Sequence, residues 1–308
     1  MPAAITTGKQ SGSASTKNTS GIELRVRHKT MANMDLLHQV DIDIIKEVLR
    51  ICNKYDLHYY MLGGTMLGAI RHKGFIPWDD DIDLGMKRED YERFLEVAPQ
   101  ELASHLKLVN YRTDPNYMYY ITRILDTQTT VIEERIGNQN KYTHASIDIF
   151  PIDGTPNNSL LRKLYFFRVM YHRALMSLCY KDSIDRKRPR SKKEKLLLWI
   201  MERMPIEKLT TPYKQKCKID KLLRKHKVEG SQYIGNIMGA YRTQEIVPAE
   251  YYGEGALYPF EDIQLRGLSM YHEYLTHTYG DYMQLPDEDQ RKTHFKILEI
   301  HGQSVNQA

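Results

Sequence analysis

Cysteine is scarce: only Cys52, Cys179 and Cys217 occur among 308 residues, and they lie far apart. An odd, scattered set without a C-x-x-C pair argues against a disulfide framework and a cysteine-based zinc site. It reads instead as reduced thiols in a reducing compartment. Long apolar runs are also missing, and no stretch approaches the ~20 uninterrupted apolar residues that a membrane span requires. The N-terminus lacks the apolar core of a secretory signal, so the expected location is cytoplasmic, including the inner face of a membrane. There is no internal repeat, no P-loop, no G-x-G-x-x-G and no nucleic-acid-binding motif.

What remains is an ordinary globular composition, 41% hydrophobic and 27% charged, enough for one large domain or two modest ones. The net charge of +5 conceals an asymmetry: residues 155–230 hold 21 Lys and Arg against 7 Asp and Glu, a net of +14 that leaves −9 elsewhere. Such a basic segment suggests that one face meets something anionic. Within it, the run 186–195 precedes apolar Leu196-Leu-Leu-Trp-Ile200, a pairing suited to peripheral contact with an anionic membrane.

Residues 1–30 are rich in Ser, Thr, Gly and Ala without apolar periodicity, which predicts a disordered tail. From near Met31, an apolar stripe at helical spacing (Leu36, Leu37, Val40, Ile44, Ile45, Val48, Leu49) predicts the first helix. Strands are expected at 58–62, 80–86, 106–111, 119–125, 130–134 and 145–150, with a helix over 88–102. Beyond Pro156, helices are expected at 160–180, 192–204 and 207–228, then a strand near 263–265 and a helix at 268–279. The fold class is therefore α+β: a core over 31–156 and a helical, basic region with a C-terminal segment over 157–308, which the resemblance described below implies are a catalytic core and, at the C-terminal end, a substrate-binding segment.

The most informative stretch runs Leu62-Gly-Gly-Thr-Met-Leu-Gly-Ala-Ile-Arg-His-Lys-Gly-Phe-Ile-Pro-Trp-Asp-Asp-Asp-Ile-Asp-Leu-Gly-Met86. If 80–86 is a strand, Asp79, Asp81 and Asp83 project to one face. Such carboxylates repel one another when partly buried. An exposed acidic turn would be the ordinary explanation, but Ile76, Trp78, Ile82 and Leu84 want burial. Carboxylates among core residues call for a cation, and hard oxygen ligands suit Mg²⁺ or Mn²⁺. Upstream, Gly63-Gly64-Thr65 offers amides and a hydroxyl at a strand-to-helix turn, where phosphate oxygens are favoured. Arg71, His72 and Lys73 add positive charge between turn and carboxylates. Asp148, between Ile147 and Ile149, supplies a further strand carboxylate, whereas Asp153 before Gly154 reads as a turn residue or cap.

A Gly-Gly turn, an Asp-x-Asp and a third Asp on a later strand form the nucleotidyltransferase superfamily pattern. The longer string through Ile76-Pro77-Trp78 to Asp83 closely resembles the LicD family. The likeness covers about 36–156 and resumes at Tyr279-Gly-Asp-Tyr-Met-Gln-Leu-Pro286, Arg291 and His294. It departs at Arg266-Gly267-Leu268-Ser269, where a proline-led approach to the last helix is expected. The resemblance implies a nucleotidyltransferase-type mixed sheet flanked by helices. It also implies transfer of phosphocholine, phosphoglycerol or phosphoribitol from a CDP-linked donor to a glycan hydroxyl or its lipid-linked precursor. Asp81, Asp83 and Asp148 would then hold the metal. Gly63, Gly64, Thr65, Arg71 and Lys73 would bind the donor, and Asp79 would be an outer ligand or the base.

Three other activities compete: a nucleotidyltransferase that releases pyrophosphate from a nucleoside triphosphate, a metal-dependent glycosyltransferase, and a non-catalytic nucleic-acid-binding protein. The Gly-Gly turn and the third strand Asp disfavour the glycosyltransferase. The nucleic-acid reading leaves the Asp cluster unexplained, so no nucleic-acid partner is expected. His272-Glu-Tyr-Leu-Thr-His277 is not a zinc-protease helix, because its histidines are five apart rather than four.

Overall fold

The computed structural model describes residues 17–133, 141–180, 209–288, 291, 295–300 and 303–304. Helix α1 (Lys17–Tyr55) leads to strand β1 (Tyr60–Met61), helix α2 (Gly63–Arg71), strand β2 (Asp83–Lys87) and helix α3 (Arg88–Glu101). Strands β3 (Leu106–Val109), β4 (Thr122–Asp126), β5 (Thr129–Glu133), β6 (Lys141–Thr143) and β7 (Ser146–Gly154) follow. Then come helices α4 (Ser159–Leu178) and α5 (Pro212–Leu223), strands β8 (Tyr233–Gly235) and β9 (Ile246–Pro248), and a short helix α6 (Ala249–Tyr252). The chain continues through β10 (Ala256–Phe260), β11 (Ile263–Gly267), helix α7 (Tyr271–Tyr279), β12 (Phe295–Ile300) and β13 (Gln303–Ser304).

The central sheet runs β1-β2-β7-β4-β3, with β8 and β9 continuing from β7. β2 and β7 are parallel and the other pairings are antiparallel, so the sheet is mixed and the class is α+β. Every residue of β7 is buried, because strands cover both its edges and residues pack on both faces. α1 packs its stripe of Leu37, Val40, Ile44, Ile45 and Val48 into the main core beside Ile147, Ile149 and Ile152. A smaller cluster joins Tyr165 and Val169 of α4 to Ile219 and Leu222 of α5. Asn158 caps α4 by accepting from Leu160 and Leu161 N–H, and Thr211 caps α5 through Lys214 N–H.

The structure departs from the expectations in several places. α1 begins at Lys17, well before Met31, so part of the expected tail is helical. Residues 22–32 carry Ile, Leu, Arg and Met without proline, and propensity there outweighs the missing stripe. Among the described residues beyond 157, strands accompany the helices: β8 and β9 extend the central sheet, β10 and β11 form a hairpin, and β12 pairs with β5 in a second sheet. Of these only β11 was expected, near 263–265; β8, β9 and β13 are two or three residues long, too short to show a period. The helix expected over 192–204, the basic run 186–195 and His294 lie outside the described residues.

Asp153 is neither a turn residue nor a cap. It sits in β7, 3% exposed, and Arg88 donates to both its oxygens at 2.7 and 2.5 Å. This bidentate pair ties α3 to the sheet, and Glu92, Arg112, Asp220 and Arg224 extend it into a network reaching α5. Burial of the Asp153 carboxyl pushes its pKa up, and the Arg88 guanidinium opposes that shift.

Candidate active site

A cleft of about 280 Å³ opens at the end of β2. Gly63, Gly64 and Trp78 line it, Asp79, Asp81 and Asp83 supply its acidic floor, and Asn236, Tyr241, Glu245, Tyr274 and Tyr279, all far away in sequence, complete the wall.

Asp83 is fixed from three directions. Its N–H donates to Thr65 Oγ1 at 2.8 Å, and its carbonyl accepts from Leu62 N–H at 2.9 Å. In the β2–β7 register it stands beside Asp148, whose N–H reaches the Ile82 carbonyl at 2.8 Å. The Thr65 hydroxyl therefore orients β2, with its side chain 4% exposed. Asp148 is 6% exposed, and its Oδ1 accepts from Arg123 Nε at 2.8 Å. The Arg123 guanidinium also lies 4.2 Å from the centre of the Tyr119 ring.

Asp79 and Asp81 precede the strand, because β2 begins only at Asp83. A turn positions them rather than strand alternation: Asp79 N–H bonds to the Ile76 carbonyl at 2.8 Å. From α1, His38 Nε2 meets the Asp79 carbonyl at 2.7 Å while its ring stacks on Phe75 at 3.9 Å. Pro77, which cannot donate to a strand ladder, favours this loop over an extended strand. Asp81, Asp83 and Asp148 still converge, each offering a carboxylate oxygen within 4.8 Å of the others. Asp79, Asp80 and Asp81 form a second such group.

The electrostatics are those of a crowded anionic floor. Removal from water, followed by repulsion from Asp81, Asp148 and Asp79, raises the Asp83 pKa well above the carboxylate range. Within electrostatic reach of these carboxylates, Asp41 of α1 is 0% exposed, and neither of its oxygens has a hydrogen-bond partner among the described residues. Burial raises its pKa strongly, and Asp81, Asp80, Asp148 and Asp79 add to the shift. On the cleft wall, burial lifts Glu245 to about 7 although Tyr241 N–H donates to it at 2.9 Å. A donor set made wholly of carboxylate oxygens fits a hard divalent cation such as Mg²⁺ or Mn²⁺, which would relieve this repulsion.

The Gly63-Gly64 turn opens α2 onto the cleft. Gly63 has φ +50°, and its N–H donates to the Tyr274 hydroxyl at 3.1 Å. A Cβ on Gly64 would lie 2.4 Å from Asp79 Oδ2, so glycine there keeps the carboxylate close against the backbone. Arg71 and Lys73 do not line the cleft. Arg71 instead donates to the carbonyls of Tyr282 at 2.9 Å and Gln284 at 3.4 Å, bracing the 279–286 run whose first residue forms part of the wall. Lys73 has φ +63°, and its carbonyl accepts from Glu261 N–H at 2.8 Å. Asn236, Tyr241 and Glu245 escaped the sequence reading because they come from the aperiodic stretch between β8 and β9. Tyr279 was visible only through the family likeness.

No described helix is long and apolar enough to cross a membrane.

Comparison with known proteins agrees with this geometry. The family model described as LicD/FKTN/FKRP, nucleotidyltransferase domain, matches residues 56–180, which hold the Gly-Gly turn and all four cleft and strand aspartates. Lipopolysaccharide cholinephosphotransferase LicD of Haemophilus influenzae is 31% identical over 261 residues, covering 83% of this chain and 93% of that protein. Human ribitol 5-phosphate transferase FKRP is 44% identical over a shorter span of 57 residues, 18% of this chain and 12% of that protein. With nearly the whole length of the Haemophilus protein matched, the chain belongs to the LicD family.

Proposed function

We propose that this protein transfers a phospho-substituent from a CDP-activated donor to a hydroxyl of a cell-surface glycan or its lipid-linked precursor, releasing CMP. The observation that carries the reading is the convergence of Asp81, Asp83 and Asp148 beside the glycine turn that starts α2. The relatives' names support it, one a lipopolysaccharide cholinephosphotransferase and the other a ribitol 5-phosphate transferase.

In this reading Asp81, Asp83 and Asp148 hold a divalent cation. When bound, Mg²⁺ or Mn²⁺ offsets pyrophosphate charge and polarises the phosphoryl group under attack. The Gly64 backbone, at a helix N-terminus beside the Gly63 amide that Tyr274 engages, receives donor phosphate oxygens. Asp79, on the cleft floor, accepts the proton of the glycan hydroxyl as its oxygen bonds to the distal phosphorus. The bond from that phosphorus to the CMP phosphate breaks, and the pair of electrons leaves with CMP. Trp78, Tyr241 and Tyr279 give the cleft aromatic walls for the cytosine or the acceptor sugar.

The test is the small molecule released when the protein and Mg²⁺ meet an acceptor extract with CDP-choline, CDP-glycerol or CDP-ribitol. CMP release that disappears in Asp81→Ala and Asp83→Ala supports the reading and names the donor. No release from any of the three, with pyrophosphate released from a nucleoside triphosphate, overturns it in favour of nucleotidyl transfer.

A further inference from the structure

Helix α4 has two apolar faces, and among the described residues only one of them is packed. Tyr165 and Val169 turn inward and pack with α5. On the opposite side Leu160, Leu164, Phe167 and Tyr171 are 73%, 55%, 69% and 53% exposed. Their spacing of i, i+4, i+7 and i+11 puts them in one line along the helix. Scattered exposed apolar residues are ordinary, but a continuous stripe marks a surface that meets something.

The charges around the stripe say what it meets. At 100° per residue, Lys163 and Arg168 lie about 70° to either side of its midline, and both are exposed. The sequence of α4, SLLRKLYFFRVMYHRALMSL, contains no acidic residue. An apolar line between two cationic margins matches the acyl and headgroup layers of an anionic bilayer, with long basic side chains reaching outward to lipid phosphates. A second copy of this chain fits poorly, because pairing α4 with itself would bring like charges together.

We propose that the outward face of α4 docks the protein along an anionic lipid surface. The helix lies on the bilayer and does not cross it. This surface differs from the basic run at 186–195, and the inference does not depend on the transfer reaction.

The test is co-sedimentation of the full chain with vesicles of phosphatidylcholine and phosphatidylglycerol in about equal parts, at low salt, against pure phosphatidylcholine. The wild type is expected to pellet with the anionic vesicles only. Leu164→Glu and Phe167→Glu should each reduce the bound fraction about tenfold, and Lys163→Glu with Arg168→Glu several-fold. The circular dichroism and unfolding midpoint should not change, since these side chains are on the surface. Failure of the wild type to bind anionic vesicles overturns the proposal. Undiminished binding by Phe167→Glu also overturns it, assigning the contact to another surface. A stable dimer in sedimentation velocity that Phe167→Glu dissociates would assign the face to a second copy and overturn it too.

Discussion

Asp83 and Asp148 are partners in the parallel β2–β7 register, although a long stretch of chain separates them in sequence. Their environments differ. Asp148 is ion-paired to Arg123 at 2.8 Å, while Asp83 stands among other carboxylates with its pKa driven upward by burial and repulsion.

That asymmetry predicts opposite effects on stability. Without divalent metal at pH 8, Asp83→Asn removes a carboxylate that is costly to ionise, so its unfolding midpoint should rise. Asp148→Ala removes the carboxylate that Arg123 donates to at 2.8 Å inside the protein and should lose about 3–5 kcal/mol. Denaturant titrations of both variants check this, and a rise for Asp148→Ala would contradict the assignment. Both should lose about 100- to 1,000-fold in transfer activity.

Metal binding should follow the same carboxylates. A divalent cation that binds the folded state stabilises it, by about 1.4 kcal/mol at ten times its dissociation constant. Mg²⁺ or Mn²⁺ is therefore expected to raise the melting temperature, and a chelator to reverse the rise. In Asp81→Asn and Asp83→Asn the shift should shrink or vanish. Because protons compete for the same oxygens, it should also weaken as pH falls. An equal shift in all variants would place the ion elsewhere.

Gly64→Ala separates the cleft from the fold. The new Cβ would lie 2.4 Å from Asp79 Oδ2, the mobile end of a side chain, so the Asp79 carboxylate can swing aside. Helical geometry accepts alanine at this position, and stability should change by less than about 1 kcal/mol. Transfer activity should fall about tenfold or more, since displacements of this size misplace a reacting group. Full activity would show that Asp79 need not lie against the turn.

The carboxylates that meet in this cleft were more legible in the sequence than the scaffold that brings them together. Asp148 stands between isoleucines in a buried strand, which marked it as a strand carboxylate, and the family resemblance grouped it with Asp81 and Asp83. Asp79 and Asp81 were singled out on the premise of a strand that does not extend to them; a turn held by His38 and Ile76 brings them to the floor instead. Thr65, read as a phosphate ligand, has its hydroxyl engaged by the Asp83 amide. The rest of the wall could not be foreseen, since Asn236, Tyr241 and Glu245 follow no periodic pattern and gain meaning only when β8 and β9 bring them to the cleft. The hairpin β10–β11 was half seen because Pro259 weakens the strand signal of its first arm.

Glu245 supplies a test of the cleft wall. Its carboxyl titrates at about 7 in the folded protein because burial disfavours the charge, against 4.5 as its ordinary value. A carboxyl with a raised folded pKa favours the protonated native state, so its stabilising contribution is complete below about pH 4.5 and is lost as pH rises through 7. Above that, the folded protein bears the full cost of a charged, buried carboxylate. Glu245→Gln keeps an acceptor for the Tyr241 N–H and removes this titration. Its stability relative to wild type should therefore improve by roughly 2–3 kcal/mol between pH 5 and pH 8. Denaturant unfolding of both proteins at the two pH values gives the number. A difference that stays flat with pH would mean that Glu245 titrates near its ordinary value, and that the wall around it is wetter than the structure indicates.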